Sequence, residues 1–276
     1  MTTIQPRPSD DYVLGTHDAE IERLGLQHRL WRHRVLDCWN RARIGAGQRV
    51  ADIGAGPGFA TLDLAEAVGA SGHVTALERS AHFLASLQAR MARFGVHQVT
   101  ARAIDLDEQE LELQELDATW CRWVLSFLRH PERLVHQLAA ALRPGGRAIF
   151  HEYLYYRAWT HLPPRPHLEQ FVGTVMASWR AGGGEPDIGA QLPAMLTRAG
   201  LTIQSARPLT EVIAPADPLW AWPAAFVASG AARLVESGGL SAAAAAALAA
   251  EFAAAEADPA SHMLTPVVLE IVAVKP

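Results

Sequence analysis

Val50-Ala51-Asp52-Ile53-Gly54-Ala55-Gly56-Pro57-Gly58 carries a short apolar run into a carboxylate and then into three glycines spaced two residues apart. Glycine accepts positive φ at no steric cost and lets a ligand approach the backbone closely. The stretch lies where a strand over Arg49–Ile53 meets a helix over Phe59–Val68, and open α/β sheets bind ligands at such carboxyl ends. Three details sort the ligands that suit it. A dinucleotide turn reads GxGxxG and needs its third glycine at position 59, which is Phe59. Asp52 sets a carboxylate beside the turn, which repels a diphosphate and attracts an ammonium group. Pro57 removes one backbone N–H from a would-be phosphate cradle.

Working outward from this turn, strand and helix signals alternate. Upstream, Ile21–Ala42 has a broad apolar face of Leu24, Leu30, Trp31, Val35, Leu36 and Trp39 and predicts a helix. Downstream the pattern predicts strands at Val74–Leu77, Val99–Ile104, Asp117–Val124 and Arg147–Glu152. Helices are expected at Ala81–Phe94 and Pro131–Leu142, and Pro144-Gly145-Gly146 reads as a turn. Strands alternating with helices of this length imply βαβ units and a parallel sheet, so the fold class is α/β, Rossmann-like and doubly wound. After residue 153 the rhythm changes. His161–Pro166 reads as loop, and Leu168–Trp179, Ile188–Arg198, Leu219–Val235 and Ser241–Glu256 as helices. Leu201–Ile213 reads as a strand, breakable at Pro208, and Met263–Val274 as a last one. The expected division is an N-terminal helical lid over 1–45, a ligand-binding core over 46–153, and cap helices with final strands over 154–276.

Glu78 ends the second strand, 20 residues after Gly58. A carboxylate there can accept both hydroxyls of a ribose, which supports an adenosine ligand without choosing between cofactors. Composition narrows the partners. Lys plus Arg is 24 against 29 acidic residues, a formal charge of −5, and Lys275 is the single lysine, so no basic face for nucleic acid is expected. Cys38 and Cys121 are the two cysteines and form no CxxC pair, which argues against structural zinc or a disulfide framework. The histidine pairs 130/136 and 161/167 lie six apart, the wrong spacing for two ligands on one helix face, and no metal site is expected. No run approaches the roughly 20 apolar residues of a membrane helix, and the N-terminus lacks an apolar signal stretch. The expectation is a cytoplasmic protein, monomer or homodimer.

At this point the sequence resembles the class I S-adenosylmethionine (SAM)-dependent methyltransferases of the broad ubiquinone/menaquinone-biosynthesis type. Asp52–Gly58 is similar to their first motif, and Glu78 to their ribose-binding acid. Ile104-Asp105 stands where an Asp usually approaches the adenine amino group, although many relatives have Gly in place of Ile104. Arg122–Leu128 resembles the segment lining their methyl-transfer site, and Leu142-Arg143-Pro144-Gly145-Gly146 resembles their turn before strand five. These motifs cover roughly residues 45–152. The resemblance implies a mostly parallel seven-stranded sheet with helices on both faces and a helical cap from C-terminal insertions. It implies methyl transfer from SAM to a small-molecule acceptor at O, N or C. A non-catalytic SAM-binding partner or sensor is the alternative, with a nicotinamide-dependent oxidoreductase behind it.

The expected cofactor residues are Asp52, Gly54, Ala55, Gly56, Glu78, Arg79, Ile104, Asp105, Leu106, Cys121, Arg122 and Gln27. Asp107 competes with Asp105 as the adenine-side acid. Arg122 reads equally as a carboxylate-binding residue or as a surface arginine paired with Glu152. His151, at the end of strand five, is the candidate base, because its unperturbed ring titrates near neutral pH. The rival reading is a hydrogen-bonded histidine buried beneath the cap. Tyr12, Trp123, Tyr153, Trp220 and Trp222 are the candidate acceptor residues, since aromatic walls suit planar or apolar acceptors.

Overall fold

The computed structural model describes residues 17–276. The first half alternates as expected: α1 (Asp18–Arg41), β1 (Arg49–Ile53), α2 (Phe59–Val68), β2 (His73–Glu78), α3 (Ala81–Phe94), β3 (Val99–Ala103), β4 (Leu116–Arg122), α4 (Pro131–Ala141) and β5 (Leu142–Tyr155). The second half supplies β6 (Thr160–Leu162), α5 (Pro166–Ala181), α6 (Leu192–Arg198), β7 (Thr202–Leu209), β8 (Val212–Ile213), α7 (Ala221–Glu236), α8 (Ala242–Ala257), β9 (His262–Leu264) and β10 (Val267–Val274). Seven strands form one sheet in the order β3-β2-β1-β4-β5-β10-β7. The first five run parallel, and β10 is antiparallel to both of its neighbours.

The order reverses between β1 and β4, which opens a crevice at their carboxyl ends. Strand alternation decides what faces where. Val50 and Asp52 of β1, Ile149 and His151 of β5, and Glu270 and Val272 of β10 point toward α1, α2 and α3, and the apolar ones join a core with Val35, Leu64 and Leu87. Ala51, Ile53, Phe150 and Ile271 point the other way, into a core closed by Leu134, Leu138 and Leu196 of α4 and α6. A third core lies above the sheet, where α5, α7 and α8 bury Trp159, Phe171, Trp220, Phe226 and Phe252. No described helix is long and apolar enough to cross a membrane.

Local pattern misplaced several elements. Residues 161–166, expected as loop, begin within β6, and the expected last strand is split into β9 and β10. β6, β9 and β8 form a separate three-stranded sheet. Their pairings, Thr160 with Leu264 and Ile213 with Met263, join residues far apart in sequence, which no local periodicity reveals. Pro208 is tolerated because β7 is an edge strand, and the expected break falls instead at Thr210-Glu211. Pro144-Gly145-Gly146 is carried as a bulge within β5: the register against β4 jumps from Leu116–Leu142 to Ala118–Arg147. Pro193 confines the expected helix over 188–198 to α6, behind a short 3₁₀ turn.

Candidate functional site

The glycine turn is built for positive φ. Gly54, Gly56 and Gly58 sit at 64°, 56° and 88°. A Cβ on Gly54 would lie 2.4 Å from Val124 Cγ2, so that glycine lets the β1 turn pack against the segment following β4. Gly56 has open space beside it, and its N–H donates to Glu78 Oε2 at 2.9 Å. Glu78 Oε1 accepts from the Ser80 N–H at 2.7 Å. One carboxylate at the end of β2 therefore holds the turns after β1 and β2 together. A carboxylate offers about four lone-pair sites, so each oxygen keeps one for a ligand hydroxyl. Burial raises the Glu78 pKa above the usual carboxylate value, against the pull of those backbone donors.

Asp52 lies beneath the turn, buried, and accepts from Thr61 Oγ1 at 2.6 Å. Burial pushes its pKa up to about 7, against the opposing effects of Thr61 and of the Arg122 cation. A carboxyl group in this state gains when a cation is brought beside it.

Arg122 ends β4, half-buried on the wall of the crevice, and burial brings its pKa down to about 10. Its Nη2 lies 3.2 Å from His28 Nδ1 and its Cζ 5.1 Å from the Trp123 ring. Nη1 is buried and meets no hydrogen-bond partner among the described residues. The surface pairing of Arg122 with Glu152 is thus corrected. Glu152 instead accepts from the N–H groups of Val124 and Leu125, both at 2.8 Å, and caps the turn leaving β4. Trp123 takes φ 54° there, which swings the chain out of the sheet and over the crevice.

These groups line one cavity of about 460 Å³, within the usual range for a small-molecule site. Its wall includes Gln27, Asp52, Gly54, Ala55, Gly56, Glu78, Arg79, Ile104, Asp105, Leu106, Arg122 and Trp123. Asp107 also lines it, but its Oδ1 is engaged by the N–H groups of Arg129 and His130, both at 3.0 Å. Asp105 Oδ1 accepts only the neighbouring Asp107 N–H among the described hydrogen bonds, and Arg79 lies 3.9 Å from its Oδ2. Gln27 Oε1 accepts from Arg23 and from Trp222 Nε1, each at 3.1 Å, which fixes its amide and ties α1 to α7.

Other expected residues lie elsewhere. His151 is sealed between Trp31 and Trp120 and lies outside the cavity wall. Its Nε2 lies 3.3 Å from Glu270 Oε2, and burial lowers its pKa. Burial tends to raise the Glu270 carboxyl, but His151 and Arg41 together outweigh it and hold it at about 2. The buried, hydrogen-bonded reading of His151 is the one its surroundings match. Cys121 faces the opposite side of the sheet, with Sγ 4.0 Å from Glu152. Tyr153 and Trp222 both stack with Trp123, at 5.6 and 5.8 Å, and neither lines the cavity wall. Trp220 packs with His161 and Phe252 inside the cap. Tyr12 lies outside the described residues.

Sequence reasoning missed Leu24, Phe59, Ser80, His82 and Phe83 on the wall, and His28 behind it. Ser80–Phe83 had a usable signal, because they open the helix that directly follows Glu78. His28 had none, since its meaning depends on Asp63 and Arg122, which are 35 and 94 residues away.

A methyltransferase-domain family model matches residues 50–146. The ubiquinone/menaquinone biosynthesis C-methyltransferase of Methylococcus capsulatus is 28% identical over 146 residues, covering 52% of this chain and 57% of that protein. The chain spans about half the length of the curated relatives it matches. Among solved structures, a putative methyltransferase of Bacillus halodurans shares the fold with a TM-score of 0.61 at 14% identity, over 87% of this chain and 98% of that one. Phosphoethanolamine N-methyltransferase 2 of Haemonchus contortus, in complex with S-adenosylhomocysteine, superposes with a TM-score of 0.55 at 19% identity, over 89% and 53%. The glycine turn lies within the stretch that matches a methyltransferase domain, residues 50–146, and most of the chain shares its fold with the solved methyltransferase structures.

Proposed function

We propose that the protein transfers a methyl group from SAM to a small-molecule acceptor by in-line displacement. The observation that carries this reading is the pair of carboxylates, Asp52 buried and Glu78 half-buried, on either side of a positive-φ glycine turn that opens into a cavity of about 460 Å³. When bound, SAM supplies an electrophilic methyl group on a cationic sulfur. The residues present suit it. Asp52 is a carboxyl group that a ligand ammonium would stabilise, and Glu78 keeps two acceptor sites for ribose hydroxyls. Asp105 takes the adenine amino group, in a slot walled by Arg79, Ile104 and Leu106. Arg122 and Gln27 hold the amino-acid end, and Gly54, Ala55 and Gly56 let that end lie close to the backbone. Cys121 and His151 are left out of this assignment, because neither reaches the cavity. The acceptor lies against Trp123, which is braced by Tyr153 and Trp222. Catalysis is then chiefly alignment of acceptor, methyl and sulfur.

α1 brings Gln27 to the cofactor side of the cavity, and 154–276 shapes the acceptor side. The protein works in the cytoplasm, as a monomer or homodimer, on a free small molecule rather than on nucleic acid. Incubation with SAM and a panel of phenols, amines and carboxylic acids is expected to release S-adenosylhomocysteine above the acceptor-free rate with at least one acceptor class. Absence of both turnover and SAM binding would overturn the reading. SAM binding without turnover on any acceptor would instead favour a sensor or partner protein.

Affinity for SAM is also expected to rise with pH. With its pKa near 7, Asp52 is about half protonated at pH 7 before the ligand arrives. A bound cation favours the ionised form, so binding releases a proton. From pH 6 to pH 8 the dissociation constant should fall by up to roughly tenfold. Titration calorimetry at the two pH values checks this, and Asp52→Asn should lose most of the difference.

A further inference from the structure

The Arg122 guanidinium has only donors, so at its 3.2 Å contact His28 Nδ1 must be the acceptor. A neutral ring then carries its single proton on Nε2, and that nitrogen lies 3.0 Å from Asp63 Oδ2. Asp63 is held in turn by Arg32, whose Nε and Nη2 donate to its two oxygens at 2.8 and 3.2 Å. The chain Arg32–Asp63–His28–Arg122 thus links the outer surface of α1 and α2 to the inner end of β4. Phe59 stacks on the His28 ring at 6.0 Å and limits its rotation. His28 itself is buried and lies outside the cavity wall, so its effect on a ligand must pass through Arg122.

We infer that His28 and Asp63 are positioning residues: Asp63 selects the His28 tautomer that presents a bare Nδ1, and this nitrogen sets the orientation in which the Arg122 guanidinium meets a ligand carboxylate at the cavity wall. The inference rests on the reading of Arg122 as the contact for the cofactor's amino-acid end. The opposite tautomer would place an N–H against the guanidinium, donor against donor, and turn Arg122 away. Trp123 restrains the guanidinium from a second direction, 5.1 Å from its Cζ, so two supports set its orientation. Both lie on elements that pack independently of the ligand. Arg122 is therefore held in place before binding, which reduces the ordering that a flexible arginine would require.

The test compares two ligands that share the adenosine. S-adenosylhomocysteine has the amino-acid carboxylate, and 5′-methylthioadenosine lacks it. His28→Leu is expected to weaken S-adenosylhomocysteine about fivefold by calorimetry and to leave 5′-methylthioadenosine within twofold. His28→Asn should recover most of the loss, because its Oδ1 occupies the place of Nδ1. Asp63→Asn can donate to Nε2 and so permits the wrong tautomer. It should show the same ligand-selective weakening, and it provides the test if His28→Leu does not fold. Equal weakening of both ligands, or unchanged S-adenosylhomocysteine affinity in His28→Leu and Asp63→Asn, overturns the inference. Arg122→Met separates the two levels. If it too leaves S-adenosylhomocysteine unaffected, the assignment of Arg122 fails. If it alone weakens that ligand selectively, the assignment stands and the relay behind it fails.

Discussion

Glu78→Ala is expected to weaken SAM binding by about a hundredfold. Each hydrogen bond to an ionised carboxylate contributes roughly 1.5–3 kcal/mol, and two ribose hydroxyls would lose their acceptor. A loss of about 3 kcal/mol corresponds to roughly two orders of magnitude in affinity. The variant also frees the Gly56 and Ser80 N–H groups, which now both anchor to this side chain, so the turn under the cofactor loosens as well. Folding stability should change far less than affinity. The half-buried carboxylate is already held at a cost, as its raised pKa records, and removing it relieves that cost while losing the two backbone anchors. Glu78→Gln keeps the shape and one acceptor oxygen, and should fall between wild type and Glu78→Ala. Titration with S-adenosylhomocysteine and thermal melting of the apoprotein check both halves. Wild-type affinity in Glu78→Ala would remove this residue from the site.

Gly58→Ala is expected to destabilise the fold by about 3 kcal/mol. The position has φ 88°, and a Cβ there would sit 2.3 Å from Leu87 Cδ1 and 3.0 Å from both Leu87 Cβ and Cγ. Leu87 is fully buried in the core between the sheet and α1–α3, so it has no room to retreat. Left-handed backbone costs a non-glycine residue roughly 1–2 kcal/mol, and overpacking a dense core typically adds about 1–3 kcal/mol. In a chain of this size the melting temperature should fall by roughly 6–12 °C. Gly56→Ala is the internal control: its φ of 56° brings the same backbone cost, but nothing lies within 4 Å of the added carbon. It should lose only about 1 kcal/mol. Equal melting temperatures for the two variants would show that contact with Leu87 is not what requires glycine at 58.

The core of the fold was legible because its signals are local. A glycine turn, an acidic strand end and helices bounded by proline or glycine depend on a residue and its near neighbours, and β1, α2 and α3 fall where the pattern puts them. The start of α1 was placed three residues late. The His17 side chain accepts from the Glu20 N–H and begins the helix ahead of its apolar face. Asp52, Glu78 and the glycines between them were recognisable for the same reason: the chemistry of the turn is written in consecutive residues.

The sequence by itself determined a doubly wound sheet, a turn that disfavours diphosphate and favours a cation, and two carboxylates beside it. Only the tertiary structure decided which charged groups face the cavity. His151 and Arg122 are paired partners on neighbouring strands, yet one is sealed behind Trp31 and Trp120 while the other lines the wall. The physical reason is that a side chain's partner is chosen by packing across the sheet. His28 meets Asp63 and Arg122, and β6 meets β9, through contacts spanning tens to about a hundred residues, and periodicity along the chain holds no record of such distances.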